Sequence, residues 1–260
     1  MLNKSLKLFG FTCIFGVFGA FFRWLQHLTA FEPDSGLAIP GARWSVVLVI
    51  YCVIIAAALV FLVQKQKTLR FPTDYGAAFS APSRVFDVIS VLLAVLMAIG
   101  GILTIFPALV PPYSIFELVT GLFAIVAAVC LVAFLRSTKR DHARSRGAAA
   151  SLVADLFMCF WLIASYKAFA SDPVIWNYAP RLLAICASVL AFYYIAGYPY
   201  GKPRPLMALF FSNLSAFLFI VTLADDYSIG KQLLAIASAG TLCIYSILLL
   251  GNAGESTDAE

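Results

Sequence analysis

The chain has 260 residues, 62% of them apolar and only 12% charged, with a net charge of +5 and a mean hydropathy of +0.94. Soluble domains carry charge on about a quarter of their residues, so this composition excludes a water-soluble fold, a disordered chain and a secreted disulfide scaffold. A nucleic-acid-binding basic face is excluded as well, because the basic residues are dispersed between long apolar runs.

A helix needs about 20 mostly apolar residues to cross a hydrocarbon core of roughly 30 Å. Eight runs meet that need, at 8–25, 44–63, 85–106, 115–135, 148–170, 180–197, 205–224 and 232–251. They are apolar all round and lack the strand-length alternation of a β-barrel. The fold class is therefore all-α integral membrane, a bundle of eight transmembrane helices forming one domain over 1–251, with 252–260 as a disordered polar tail.

Lys4 and Lys7 precede the first run as in a signal peptide, but no small-x-small cleavage site follows it. Arg23, Trp24 and Leu25 follow instead, so it reads as a retained helix. Phe31–Gly36 reads as a turn, and Trp24, Trp44 and Trp176 fall at the same boundary level, where indoles are favoured. In the third run Asp87, after Ser83 and Arg84, occupies the first helical turn, where a carboxylate complements the helix dipole. The fourth opens with a capping box, Ser114-x-x-Glu117, after Pro111 and Pro112.

The link at 136–146 is rich in Arg and Lys and is expected to lie on anionic lipid. The fifth run carries Asp155, sharing a helical face with Cys159, Leu162 and Tyr166, and ends with Lys167, which is expected to snorkel to water. Pro180 and Pro205 suit the first helical position of the sixth and seventh runs. Mid-way along the seventh, Ser212, Asn213 and Ser215 form a cluster of strong hydrogen-bonding groups, and Asp225-Asp226 close it. Small residues four apart (Gly16 and Ala20, Ala94 and Ala98, Ala124 and Ala128, Ala235 and Ala239) predict close helix packing or an oligomer face.

With the N-terminus cytoplasmic, thirteen basic residues lie inside: Lys4, Lys7, Lys65, Lys67, Arg70, Arg84, Arg136, Lys139, Arg140, Arg144, Arg146, Lys202 and Arg204. Four lie outside, namely Arg23, Arg43, Arg181 and Lys231. The positive-inside rule then puts both termini in the cytoplasm, and the expected location is the plasma (inner) membrane.

The six cysteines lie one each in six runs, with no CxxC, and the two histidines, His27 and His142, are far apart. Neither a metal site, a disulfide nor a cofactor is indicated. HExxH, GxSxG and P-loop motifs are absent, so nothing marks the chain as a hydrolase, metalloprotease or nucleotide-binding enzyme.

A charge at the bilayer centre costs about 2.5–3.5 kcal/mol, so polar groups at depth are the candidate functional ones. The leading expectation is a small-solute transporter or permease, with Asp155, Asn213, Ser212 and Tyr166 as substrate-binding candidates. A non-catalytic subunit or scaffold, acting as a homo-oligomer or with a membrane partner, is the first alternative. A lipid-modifying enzyme using Asp87 and Asp155 is the second.

Overall fold

A computed structural model describes residues 2–32, 37–39, 41–111, 113–138, 144–170, 172 and 174–254, with the side chains of 2–4 and 144 excepted. Lys4, the turn residues 33–36, Pro112, Lys139, Arg140, His142, the Arg144 side chain and 255–260 therefore lie outside the described residues.

The elements in chain order are α1 (Leu2–Thr29), α2 (Arg43–Gln64), the single turn α3 (Tyr75–Ala78), α4 (Arg84–Ala108), α5 (Ile115–Ser137), α6 (Arg144–Phe169), α7 (Ile175–Ala196), α8 (Pro205–Val221) and α9 (Ile229–Gly251). A 3-10 turn, Thr222–Ala224, extends α8. Eight of these helices are long and apolar enough to cross a membrane. Helix is what such sequences must form in lipid, because it satisfies every backbone N–H and C=O within the segment. Two isolated bridges, Phe31 with Ala38 and Arg70 with Gly254, are the β-type pairings among the described residues.

Six helices close a ring, with α4 packed on α5, α5 on α6, α6 on α7, α7 on α8, α8 on α9 and α9 back on α4. Helix α1 lies outside this ring against α8 and α9, and α2 flanks α1 and α8. The small-residue positions permit the closeness. A Cβ placed on Gly121 of α5 would stand 2.6 Å from the Gly101 carbonyl oxygen of α4, so these backbones touch where only glycine fits. The ring's interior is filled by Phe157, Trp161, Phe192, Phe219 and Tyr245, each at most 2% exposed.

The described ends of the chain, Leu2 and Gly254, lie at one end of the bundle, the near end, which α3 closes. Asp74 caps this turn by accepting the Ala77 N–H at 3.0 Å. The Tyr75 hydroxyl donates to the Phe134 carbonyl and lies 2.6 Å from Ser137 Oγ. Phe79 is fully buried, its ring centroid 5.4 Å from Phe134, 5.1 Å from Tyr198 and 5.7 Å from Tyr245. Asn252 then straps the loop, donating to the Ala78 and Ser80 carbonyls at 3.0 and 2.9 Å. Arg70 and Gly254 exchange two backbone hydrogen bonds, so residues 252–254 of the expected tail are tied to the body.

Helix α7 starts at Ile175, five residues before the predicted boundary, and Pro180 lies inside it rather than at its first position. A proline has no N–H to give the carbonyl four residues back, which here belongs to Trp176. Arg23 Nη1 takes that carbonyl at 2.8 Å. A cation from another helix thus completes the broken ladder. Pro205 does stand at the first position of α8.

Candidate functional site

The polar residues that sequence singled out do not converge. Asn213 is 1% exposed, and its amide is fully engaged. Nδ2 donates to the Leu209 carbonyl at 2.8 Å and to Ser246 Oγ at 2.7 Å, and Oδ1 accepts from Thr12 Oγ1 at 2.9 Å. It ties α8 to α1 and α9, the interhelical role such an amide commonly has. Ser212 is buried beside it on α8, while Ser215 Oγ donates to the Ala184 carbonyl of α7 at 3.2 Å.

Tyr166 is 64% exposed on the outer face of α6. Asp155 is half-buried mid-way along α6, with its Oδ1 buried and without a hydrogen-bond partner. None of these four lines the pocket described next. Asp87 does sit in the first turn of α4, but α5 intervenes between α4 and α6 and keeps Asp87 apart from Asp155.

The polar chemistry is gathered instead at the far end, away from the termini. A cavity of about 230 Å³ opens there between α4, α5, α6, α7 and α9. At about 30 Å³ per water, this is room for roughly eight molecules. Phe116, Trp161, Phe169 and Tyr227 give it apolar walls, and Glu117, Lys167, Arg181 and Lys231 supply its charges.

Glu117 meets only half of the capping-box expectation. Ser114 Oγ accepts its backbone N–H at 3.4 Å, but the carboxylate turns to Lys231 of α9 and forms an ion pair. Lys167 is exposed, as expected, with Nζ 3.9 Å above the Phe116 ring.

Arg181 is the residue that sequence reasoning misplaced. Counted as an outside charge at the start of the predicted 180–197 run, it is 2% exposed on the inner face of α7. Its guanidinium lies 3.9 Å from the Tyr227 ring centroid and 5.4 Å from that of Trp161. Nη2 donates to the Lys231 carbonyl at 3.1 Å. Among the described residues no carboxylate forms an ion pair with it.

A second buried cation stands behind this wall. Arg23 of α1 is 0% exposed and donates to Asp225 Oδ1 at 2.6 Å, Gln26 Oε1 at 2.6 Å, and the Trp176 and Asn177 carbonyls at 2.8 and 3.1 Å. His27 Nε2 reaches the same Asp225 oxygen at 2.9 Å, while Asp225 Oδ2 is buried without a partner. Burial, and secondarily Asp225, push the Tyr227 phenol up to about 12, so it is neutral at physiological pH.

Sequence carried one signal for this cluster: two arginines within the ends of predicted spans, Arg23 in 8–25 and Arg181 in 180–197, on the side where basic residues are scarce. All six cysteines are free, and no group of three metal-binding side chains occurs among the described residues. Comparison with protein-family models, curated proteins and solved structures finds no match to the chain.

Proposed function

We propose that the protein is a small-solute transporter of the plasma (inner) membrane, with both termini cytoplasmic and the far-end pocket as its outward-facing solute site. The supporting observation is a five-helix cavity of about 230 Å³ at one end of a closed ring whose interior is closed at the other end by Phe79 and Tyr75, the groove of about 430 Å³ at that end lying along the α7–α8 link. Such asymmetry is what one state of an alternating-access carrier presents. The α3 loop and its Asn252 strap are then the inner gate, which opens when the pocket closes.

The orientation draws support from burial. Of the four basic residues assigned outside, Arg23 and Arg181 are enclosed in protein, so the outer surface carries less free positive charge than the count suggests. Asp155, with an unpartnered buried oxygen on the ring wall, is the carboxyl available for proton coupling. Reconstituted vesicles with an imposed proton gradient test this scheme. Solute uptake should occur, and Asp155→Asn should abolish gradient-driven uptake while leaving exchange intact. Absence of uptake and exchange across a broad solute set refutes transport.

One observation favours a scaffold as the second reading. Asn213 is saturated by protein partners and the ring interior is filled by aromatic side chains, so no polar path crosses this state. Recovery of a stoichiometric second protein in mild detergent, with no transport, would favour that reading.

A further inference from the structure

We infer that the far-end pocket binds a small organic anion, one carboxylate or phosphate group on an apolar body, with Arg181 as its counter-ion. This rests on the proposed solute site but names a ligand chemistry for it, and it survives if the site proves to bind without transporting.

Three cations and one carboxylate line the pocket, and the carboxylate, Glu117, is already paired with Lys231. Behind it, Asp225 Oδ1 is engaged by both Arg23 and His27. Among the described residues the wall thus keeps two cations outside any ion pair, Lys167 and Arg181, with Asp225 acting on Arg181 only from a distance, and Arg181 is 98% enclosed, at 2% exposure. A buried guanidinium without an anion is costly, and removing water from it is compensated only when a charged partner or a full set of acceptors arrives.

Geometry points the same way. The Arg181 guanidinium lies over the Tyr227 and Trp161 rings, the position an arginine takes in cation–π contact with aromatics. Of its five N–H donors, one goes to the Lys231 carbonyl and the Tyr227 hydroxyl lies within reach of another, which leaves the remaining donors on its edge for a planar or tetrahedral oxyanion. Helices α5, α7 and α9 all begin at this end, and the positive ends of their dipoles add to the same potential. The remaining wall combines Phe116, Trp161, Phe169 and Ala168 with the hydroxyls of Thr104, Ser114, Thr120 and Ser165, of which Thr104 and Thr120 are spent on their own helix carbonyls, so the ligand carries a largely hydrocarbon or aromatic body behind its anionic head. A free organic acid and a lipid headgroup share this chemistry.

The test uses the full-length protein in nanodiscs of zwitterionic lipid, with benzoate and phenyl phosphate as probes and benzyl alcohol and benzylammonium as uncharged and cationic counterparts. Thermal unfolding and the quenching of tryptophan fluorescence, to which Trp161 contributes from the pocket wall, report binding. The anions should raise the melting temperature saturably, and the counterparts should not. Arg181→Lys should weaken the anion effect about tenfold, because a point charge replaces a two-pronged fork. Since an Arg181 variant can also disturb folding, Ala168→Phe provides an independent check. Ala168 is an exposed position lining the pocket, so the added ring should leave the unliganded melting temperature unchanged and abolish the anion effect.

Adding phosphatidylglycerol or lysophosphatidate to the nanodiscs separates the sources. Competition with benzoate identifies a lipid headgroup as the natural occupant, and its absence identifies a free acid. Benzyl alcohol matching benzoate, or an undiminished effect in Ala168→Phe, overturns the inference. Benzoate binding without benzoate uptake refutes transport of that class and leaves the anion site standing. Uptake of neutral or cationic solutes without anion binding does the reverse.

Discussion

The buried pair of Arg23 and Asp225 should be among the most sensitive points in the molecule, and the roles of its atoms predict an unequal response. Their side chains are 0% and 3% exposed, with Nε and Oδ1 2.6 Å apart. Removing one partner of such a pair strands the other in a poor solvent, at about 3–5 kcal/mol. Asp225→Asn should cost about that amount.

Arg23→Met should cost more, because Arg23 also serves the Trp176 carbonyl that Pro180 leaves without a helical donor. An orphaned buried carbonyl adds about 1–3 kcal/mol. The decisive variant is Arg23→Met with Pro180→Ala. Restoring the N–H at position 180 closes the α7 ladder, so this double variant should recover about 1–3 kcal/mol relative to Arg23→Met. In the wild-type background Pro180→Ala should recover much less, since Arg23 already satisfies that carbonyl. Unfolding in mixed micelles, followed by circular dichroism, measures all four proteins. Equal stabilisation by Pro180→Ala in both backgrounds would refute the account of Arg23 as a surrogate backbone donor.

Other expectations follow from the same structure. Tyr166→Ala should change stability by less than about 0.5 kcal/mol, because that ring is 64% exposed on the outside of α6; a loss of uptake would contradict its exclusion from the solute site. Phe79→Ala should cost about 3–5 kcal/mol and make near-end positions such as Tyr245 of α9 accessible to water-soluble labels once replaced by cysteine. Above pH ~10 stability should fall, because the phenol of Tyr227 ionises freely when unfolded but only near 12 when folded. The native state holds the extra proton across that window, and Tyr227→Phe should lessen the slope there.

Hydropathy alone located all eight crossing helices, since a run of about 20 apolar residues admits no other solution in lipid. Helix ends were less legible. Pro180 drew the α7 boundary toward itself because proline is usual at a first turn, whereas here Arg23 compensates the missing donor from a distant part of the chain. No local pattern encodes that. The same misplaced boundary put Arg181 at the second residue of its run, where it counted as an outside charge, and a side-by-side count of basic residues treats every such charge as solvated.

Asn213 illustrates the opposite difficulty. It stands buried mid-way along α8, but an amide that binds a solute and one that binds Thr12 and Ser246 have the same sequence signature. Likewise, Ser114-x-x-Glu117 specified the Ser114 cap and gave no sign that Lys231, more than a hundred residues later, would take the carboxylate.

The central claim, an outward-facing solute pocket opposite two cytoplasmic termini, is tested most directly at Ala168, which lines the pocket and is exposed. In a cysteine-free background, Ala168→Cys should react with a membrane-impermeant maleimide added to the outside of intact cells, and benzoate should slow that reaction. Labelling only after the cytoplasmic face is exposed, or at a rate unaffected by benzoate and by phenyl phosphate, would contradict the account.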